Sequence, residues 1–183
     1  MGKVELFVGP MFAGKTTALI RRVKELQSQD KKVKVFKHCI DDRYAEESIC
    51  THDKSSFNAF NLRSLKEADV SDADVIVVDE FHFFTSELID YCEQWKSSGK
   101  HVIMAGLDLD HLGYPIKFRD SKKDFEDLRK LSDEVTFLKS RCAVCGKEAT
   151  MTERIAKNDD YFLVGSAESY RPVCKEHHPR WKS

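Results

Sequence analysis

The sequence predicts an α/β fold in which a mainly parallel sheet is flanked by helices, followed by a small C-terminal metal-binding subdomain. Short apolar runs alternate with helical repeats, a glycine-rich turn joins the first run to the first helix, and two Cys/His pairs lie near the end of the chain. Alternating strands and helices favour a parallel sheet that is covered on both faces. We place the division at 1–139 for the α/β core and 140–183 for the metal subdomain.

Five runs rich in β-branched or apolar residues predict strands at 4–8, 32–37, 75–78, 101–105 and 135–138. Between the strands, apolar residues recur at helical spacing and predict three helices. Their apolar positions are Leu19, Ile20, Val23 and Leu26, then Leu88, Tyr91, Cys92 and Trp95, then Phe125, Leu128 and Leu131.

The amino-acid composition excludes several classes of protein. The 183 residues are 41% hydrophobic and 33% charged with a net charge of -1, which describes a globular chain without the overall positive charge of a nucleic-acid binder. No apolar run approaches the length of a membrane span and no signal peptide precedes the first strand, so we expect a cytoplasmic protein without a membrane partner. Three scattered cysteines, Cys39, Cys50 and Cys92, are expected to be buried fillers.

Residues 9–16 fit the phosphate-loop pattern G-x-x-x-x-G-K-[ST], between a predicted strand and a predicted helix. Glycines at 9 and 14 allow backbone N–H groups to surround phosphate oxygens. Lys15 is expected to reach the β- and γ-phosphates of ATP, and the Thr16 hydroxyl to bind Mg²⁺. The core is therefore P-loop NTPase-like, and its predicted phosphate-binding residues are Gly9, Pro10, Met11, Phe12, Ala13, Gly14, Lys15, Thr16 and Thr17.

Two carboxylates follow the apolar run at 75–78, at the edge of the sheet where ligands bind. Asp79 is the predicted Mg²⁺ group and Glu80 the predicted general base. The same stretch, Asp79 to His82, also fits the D-E-x-H box of some helicases. The short chain and its near-neutral charge argue against a helicase that separates nucleic-acid strands. A small P-loop ATPase whose zinc module binds a protein or nucleic acid remains the alternative.

Cys142-x-x-Cys145 and Cys174-x-x-His177 supply three thiolates and one imidazole, the ligand set of a closed structural zinc site. His178 is an alternative fourth ligand, but His177 repeats the spacing of the first pair. Because protein side chains fill all four positions, we expect the metal to fold this region. The polar stretch between Thr150 and Tyr170, closed by the metal beside an ATP site, is typical of a substrate lid.

The chain resembles the cellular, zinc-containing thymidine kinase family along almost its whole length. The resemblance is carried by six stretches in the family's order and spacing. They are GPMFAGKT at 9–16, DRY at 42–44 with CTHD at 50–53, DEFHFF at 79–84, GLD at 106–108, CAVC at 142–145, and GSAESY at 165–170 leading to Cys174.

This resemblance implies transfer of the γ-phosphoryl group of ATP to the 5′-hydroxyl of thymidine, and also of deoxyuridine, with Mg²⁺. It implies that Glu80 is the base and that Asp42 and Arg43 lie at the phosphate-transfer centre. A lasso-like loop at about 161–170 would hold the base edge, and His82 would join the ATP-binding residues. The implied nucleoside-binding residues are Met11, Phe83, Leu107, Thr152, Val164, Gly165 and Tyr170. A homotetramer and feedback inhibition by dTTP are also family features.

The chain departs from the family pattern near the predicted nucleoside site. His82 stands where the family usually has Gln, and His111 and Ile116 stand where animal members have aromatic residues. The segment 114–119 replaces the family's basic and Phe-Gly elements. An imidazole can donate or accept a hydrogen bond in place of a carboxamide. These differences concern the choice of base and leave the expected reaction unchanged.

Overall fold

The computed structural model describes residues 2–40, 48–50, 56–157, 159–165 and 167–181. The predicted phosphate-transfer residues Asp42 and Arg43, and the side chain of Cys50, lie outside the described residues. In chain order the elements are β1 (Lys3–Val8), α1 (Lys15–Gln27), β2 (Val33–His38), β3 (Ser48–Cys50), β4 (Ser56–Asn58), β5 (Phe60–Leu62), β6 (Val75–Val78), α2 (Glu87–Ser97), β7 (His101–Gly106), α3 (Phe125–Leu131), β8 (Glu134–Phe137), β9 (Ser140–Arg141), β10 (Glu148–Ala149), β11 (Met151–Arg154) and β12 (Tyr170–Val173).

Six strands form one sheet in the order β5-β2-β6-β7-β1-β8, and every pairing in it is parallel. The α/β prediction is thereby confirmed. All five strands expected from the apolar runs are present, within one residue of their predicted ends. The strand β1, which leads into the phosphate loop, lies between β7 and β8, and β7 separates it from β6. This order places the residues after β1, β6, β7 and β8 along one edge of the sheet.

Helices cover both faces of the sheet. The predicted apolar positions of α1 are buried against one face with Val35, Val77 and Ile103. Helices α2 and α3 cover the other face, where Leu88, Trp95 and Leu128 join the larger core cluster. Strands buried on both sides explain the unbroken apolar runs in the sequence. The longest described helix has 13 residues, and no described helix is long and apolar enough to cross a membrane.

Two details of the core differ from expectation. The edge strand β5 was not predicted, because it has three residues and Phe60 is 57% exposed, so no buried alternation marks it. Cys39 was expected to be a buried filler, and this prediction is wrong, since its side chain is exposed just after β2 ends. Cys92 is buried as predicted, with Sγ 3.6 Å from Sδ of Met104.

The C-terminal part is built from two antiparallel hairpins, β9-β10 and β11-β12. A small separate core joins them, made of Cys142, Ala149, Met151, Val173 and Cys174, with Leu109 of the α/β part packed against it. Such a small core buries little apolar surface, so other constraints must hold this region. The division of the chain at residue 140 remains a prediction.

The buried carboxylate of Glu5 connects β1 to neighbouring elements through hydrogen bonds. Glu5 accepts hydrogen bonds from Lys3 Nζ at 2.8 Å and from Arg22 Nε and Nη2 at 3.0 Å, and His101 Nε2 lies 3.1 Å from its Oε1. Burial alone would raise the pKa of Glu5, but the His101, Arg22 and Lys3 side chains outweigh it and hold that pKa far below its usual range. The ionised carboxylate therefore stabilises the fold.

We predict that Glu5→Gln lowers the free energy of unfolding at pH 7 by about 2 kcal/mol, because hydrogen bonds to a charged group contribute about 1.5 to 3 kcal/mol. A depressed folded-state pKa means that this contribution is present above about pH 4.5, the ordinary carboxyl value, and is lost as the pH falls below it. Urea unfolding between pH 7 and pH 3 measures both effects. The difference between the two proteins should shrink toward pH 3.

The matched control is Glu126→Gln, which removes an exposed ion pair with Arg129. Exposed pairs contribute about 0 to 1 kcal/mol, so this variant should unfold nearly as the parent does. Equal stability of Glu5→Gln and the parent at pH 7 would contradict the stabilising role of Glu5.

Candidate active site

The phosphate loop depends on its two glycines for different reasons. A Cβ at Gly9 would lie 2.3 Å from the carbonyl oxygen of Leu138, so only glycine permits this close approach to the end of β8. Gly14 has open space around it but adopts φ +77°, which glycine tolerates best. Lys15 is buried, and its Nζ donates to the carbonyl of Pro10 at 2.8 Å. Its ammonium group is thus held within the loop.

Two hydroxyl groups from the C-terminal part hold the centre of the loop. The N–H of Met11 donates to Oγ1 of Thr152 at 3.0 Å, and Oγ of Ser140 donates to the carbonyl of Phe12 at 3.1 Å. Thr152 is buried and Ser140 is the first residue of β9. The predicted ATP-binding loop and the predicted zinc module are therefore in direct contact.

The predicted magnesium groups lie together at the edge of the sheet. Oγ1 of Thr16, in the first turn of α1, is 3.4 Å from Oδ2 of Asp79, which follows β6. The other oxygen of Asp79 accepts the N–H of Glu80 at 3.0 Å, which fixes the orientation of the carboxylate. A hydroxyl and a carboxylate beside a phosphate loop are the oxygen ligands that Mg²⁺ prefers. Thr16 and Asp79 therefore fit a magnesium ion.

Glu80 has an uncommon backbone conformation. Its φ of 47° and ψ of 53° lie in the left-handed region, and the residue precedes the short 3-10 helix Phe81–Phe83. Left-handed backbone is unfavourable for a residue with a Cβ and is often found at functional sites. Oε2 of Glu80 lies 3.7 Å from Nδ1 of His82, whose ring is buried against Phe83 with a centroid separation of 4.5 Å.

Glu80 and His82 line a cavity beside the phosphate loop. All seven predicted nucleoside-binding residues line the same cavity: Met11, Phe83, Leu107, Thr152, Val164, Gly165 and Tyr170. The two departures from the family pattern, His111 and Ile116, are also in its wall. An apolar cavity with a few polar groups is the usual form of a small-molecule site. The structure thus brings residues from both halves of the chain into one pocket.

Residues 159–165 belong to the lasso segment, 161–165 line this cavity, and side chains of the β11-β12 hairpin hold them. Arg154, the last residue of β11, donates to the carbonyls of Asp160 at 2.5 Å and Tyr161 at 2.9 Å and to the Tyr170 hydroxyl at 3.0 Å. That hydroxyl donates in turn to the carbonyl of Leu163 at 2.7 Å. One guanidinium and one phenol therefore satisfy three lasso carbonyls.

A third contact fixes the lasso to the α/β core. The Tyr161 hydroxyl donates to Oδ2 of buried Asp110 at 3.0 Å and accepts from the N–H of Lys117 at 3.1 Å. Burial and the neighbouring Asp110 carboxylate raise the pKa of Tyr161, so its hydroxyl stays protonated and can donate. This contact holds the lasso over the cavity.

Sequence reasoning missed three polar residues at this site. Asp110 and Arg154 carry the lasso contacts, yet neither belongs to a motif with recognisable spacing. Asp108 follows β7, and its Oδ1 is buried with no hydrogen-bond partner among the described residues. Burial raises the pKa of Asp108, against the lowering effect of the Lys15 charge. The position of Asp108 and Asp110 after a buried strand was the signal available, since ligands bind at that edge.

The four predicted zinc ligands meet at one point. Their donor atoms all lie within 4.8 Å of one another: Cys142, Cys145, Cys174 and His177. The Sγ atoms of Cys145 and Cys174 are 3.8 Å apart, and Nδ1 of His177 is 3.2 Å from Cys174 Sγ and 3.7 Å from Cys142 Sγ. Tetrahedral zinc with bonds of about 2.0 to 2.3 Å requires separations of roughly 3.5 to 3.8 Å. The cluster fits a zinc ion.

Two further observations concern the ligands of this cluster. Burial alone would raise the pKa of the Cys142 thiol, but hydrogen bonds with the backbone of Cys174, Cys145 and Val144 outweigh it and lower that pKa to about 6, which favours the thiolate that metals bind. His178 is buried and its Nε2 lies 3.1 Å from the carbonyl of His111. His177, and not His178, is therefore the fourth member of the cluster.

We predict that Arg154→Lys loosens the lasso without unfolding the core, because a single ammonium cannot replace the fork that reaches two carbonyls and a hydroxyl. Amide hydrogen exchange at 161–165 should quicken by about 10-fold, corresponding to roughly 1.4 kcal/mol. Arg171→Lys is the control, since Arg171 pairs with Glu153 on the same hairpin at 2.6 Å. Equal exchange in both variants would show that Arg154 does not hold the lasso.

Comparison with known proteins was made over the whole chain. The sequence profile of the family described as Thymidine kinase matches residues 2–178. Two curated relatives named Thymidine kinase, from Bacteroides fragilis strains NCTC 9343 and YCH46, are each 37% identical over 181 residues, which cover 98% of this chain and 88% of the relatives. Together with the phosphate loop and the adjacent pocket, this sequence similarity along nearly the full length shows that the chain belongs to the thymidine kinase family.

Proposed function

We propose that the protein transfers the γ-phosphoryl group of ATP to the 5′-hydroxyl of thymidine. The observation that carries this proposal is the position of Glu80. Its side chain lines the cavity, and it directly follows Asp79, which contacts the phosphate-loop residue Thr16. A hydroxyl group bound in the cavity would therefore lie between a carboxylate base and the end of a triphosphate. The comparisons do not favour the alternative of a small ATPase that uses its zinc module to bind a protein or nucleic acid.

In the proposed reaction, O5′ of thymidine attacks the γ-phosphorus as the bond to the β-γ bridging oxygen breaks, and ADP leaves with that electron pair. The Glu80 carboxylate accepts the hydroxyl proton. Lys15 and the loop N–H groups stabilise the charge on the phosphate oxygens, which is the main requirement of phosphoryl transfer. Thr16 and Asp79 would hold Mg²⁺, which neutralises phosphate charge when bound. The roles of Asp42, Arg43 and the ATP contact of His82 remain predictions.

The lasso is proposed to recognise the base through its backbone. Residues 162–165 line the cavity, and Arg154 and Tyr170 fix their path. Backbone N–H and C=O groups can match the O2, N3–H and O4 pattern of thymine and uracil. The amino group of cytosine would place one donor against another, and an unpaired buried group costs about 1 to 3 kcal/mol. The pocket should therefore prefer thymidine and deoxyuridine.

The Cys/His cluster is proposed to hold a structural zinc ion. With four protein ligands, the ion would supply folding free energy to a region whose own core is small. The cluster ties the β9-β10 turn to the end of β12, and the β11-β12 hairpin carries Arg154, Thr152 and Tyr170 toward the cavity. A homotetramer and feedback inhibition by dTTP remain predictions from the family resemblance, and a cytoplasmic location remains a prediction from the sequence pattern.

The function is tested by measuring ADP formation with thymidine, deoxyuridine, deoxycytidine and deoxyguanosine as acceptors. We expect thymidine and deoxyuridine to be phosphorylated, within about 10- to 200-fold of each other in kcat/KM because they differ by one methyl group. Deoxycytidine should be poorer than thymidine by at least about 10-fold. Similar kcat/KM values for deoxycytidine and thymidine would refute the proposed base recognition, and ADP formation independent of any nucleoside would refute the kinase.

Replacing the proposed base tests the chemistry directly. Glu80→Gln should retain ATP and thymidine binding and lower kcat by about 10² to 10⁴, the usual contribution of a positioned general base. The matched control, Glu93→Gln, changes an exposed glutamate on α2 and should leave kcat unchanged. A kcat of Glu80→Gln within 2-fold of the parent value would remove Glu80 from this role.

Metal analysis should find one zinc ion per chain, and Cys145→Ser should remove it. Because Thr152 and the lasso depend on this module, we expect the KM for thymidine to rise by at least about 10-fold. Cys39→Ser is the control, since that cysteine is exposed and far along the chain from the cluster. A zinc-free protein with the parent KM for thymidine would show that the cluster does not order the pocket.

A further inference from the structure

A turn at residues 178–181 packs against the loop formed by residues 110–114, which we call the wall loop. The turn follows the Cys/His cluster directly in the chain and contains the short 3-10 helix Pro179–Trp181. The wall loop lies between β7 and α3, and its residue His111 lines the cavity assigned above to the nucleoside. One loop therefore contacts both the turn and the cavity.

Two carbonyl groups of the wall loop accept hydrogen bonds from the turn. The N–H of Arg180 donates to Nδ1 of His178 at 3.3 Å, so that nitrogen carries no proton and the ring proton lies on Nε2. This Nε2 is 3.1 Å from the carbonyl oxygen of His111, to which it donates. Nη1 of Arg180 donates to the carbonyl of Gly113 at 2.6 Å. The backbone of the wall loop is thus held at two points.

Ring contacts reinforce these hydrogen bonds. The guanidinium group of Arg180 lies over the ring of Tyr114 with its central carbon 3.9 Å from the ring centroid, and over the ring of Trp181 at 4.8 Å. Guanidinium groups stack favourably on aromatic faces. A Cβ at Gly113 would lie 3.1 Å from the Trp181 ring, and its φ is +77°. Glycine at this position therefore permits the close approach of the loop and the turn.

The wall loop is also joined to the lasso. Oδ1 of Asp110 accepts the N–H groups of Leu112 and Tyr114 at 2.9 Å each, which fixes the shape of the loop. Its other oxygen, Oδ2, accepts the Tyr161 hydroxyl at 3.0 Å. The rings of His111 and Tyr161 lie 6.2 Å apart and both line the cavity. A shift of the wall loop would therefore move two residues of the cavity wall.

We propose that Arg180 and His178 are positioning residues for the acceptor nucleoside. They fix the wall loop, and the wall loop places His111 against the bound nucleoside. This inference rests on the proposed function, because it takes the cavity to be the thymidine site. Neither positioning residue lines the cavity or contacts the phosphate loop through a described hydrogen bond. Their loss should therefore weaken nucleoside binding and leave the chemical step intact, which raises KM without lowering kcat.

The test is Arg180→Ala, with steady-state kinetics and with thymidine binding measured by isothermal titration calorimetry. We expect the Kd and KM for thymidine to rise by about 5- to 20-fold, because a hydrogen bond from a charged donor and a ring contact are lost together. The kcat and the KM for ATP should stay within 2-fold of the parent. Arg180→Lys should be intermediate, since an ammonium can reach a carbonyl but cannot stack as a planar group.

The matched control is Lys175→Ala, which removes another cation from the Trp181 ring, at 5.4 Å, and no hydrogen bond to the wall loop. It should bind thymidine as the parent does. Amide hydrogen exchange at 110–114 should quicken in Arg180→Ala alone, and both variants should retain the parent's zinc content.

Parent-like thymidine binding by Arg180→Ala would overturn the positioning role alone, as would an equal loss of kcat and of affinity for both substrates. A parent protein that binds no thymidine would refute the proposed function and, with it, this inference.

Discussion

Two hydroxyl contacts at the centre of the phosphate loop determine how the two parts of the molecule work together. Thr152 holds the N–H of Met11 and Ser140 holds the carbonyl of Phe12. Without these contacts the centre of the loop would lose its hydrogen bonds to the C-terminal hairpins. Because Thr152 lies in β11, any shift of that hairpin is transmitted to the loop. The cavity lined by Met11 and Thr152 and the phosphate loop are therefore held by the same contacts.

The pocket shows how a polar segment can be ordered without a large core. Residues 161–165 form neither a strand nor a helix, so no regular backbone ladder satisfies their carbonyls. Arg154 and the Tyr170 hydroxyl supply these partners, and Tyr161 with Asp110 supplies the contact with the core. Each contact is a directional hydrogen bond. The lasso is thus held in one path while its inner side remains available to a ligand.

Much of the fold could be predicted from the sequence because the central strands are buried on both faces. Their apolar runs are unbroken, and the glycine-rich turn after β1 identifies the edge at which ligands bind. The motif residues of the site could be named for a related reason, since phosphate and zinc binding require residues at fixed spacing, and their roles remain predictions. The edge strand β5 was not predicted, because a three-residue strand with an exposed Phe60 has no unbroken apolar run. Cys39 was misassigned because apolar neighbours along the chain do not show which way a residue at a strand end points.

Contacts between segments that are distant along the chain could not be predicted from the sequence. Arg154 and Asp110 act through partners that are distant in the chain or lie in an irregular loop, and no periodicity marks them. Glu80 is a different case, since its chemistry was predicted but its left-handed backbone was not. Glycine would adopt this conformation with less strain, by about 1 to 2 kcal/mol. The fold thus retains a carboxylate at a position where the backbone alone favours a residue without a side chain. Backbone stability and the proposed role as general base make opposite demands on this one residue, and the residue present is the one that the proposed role requires.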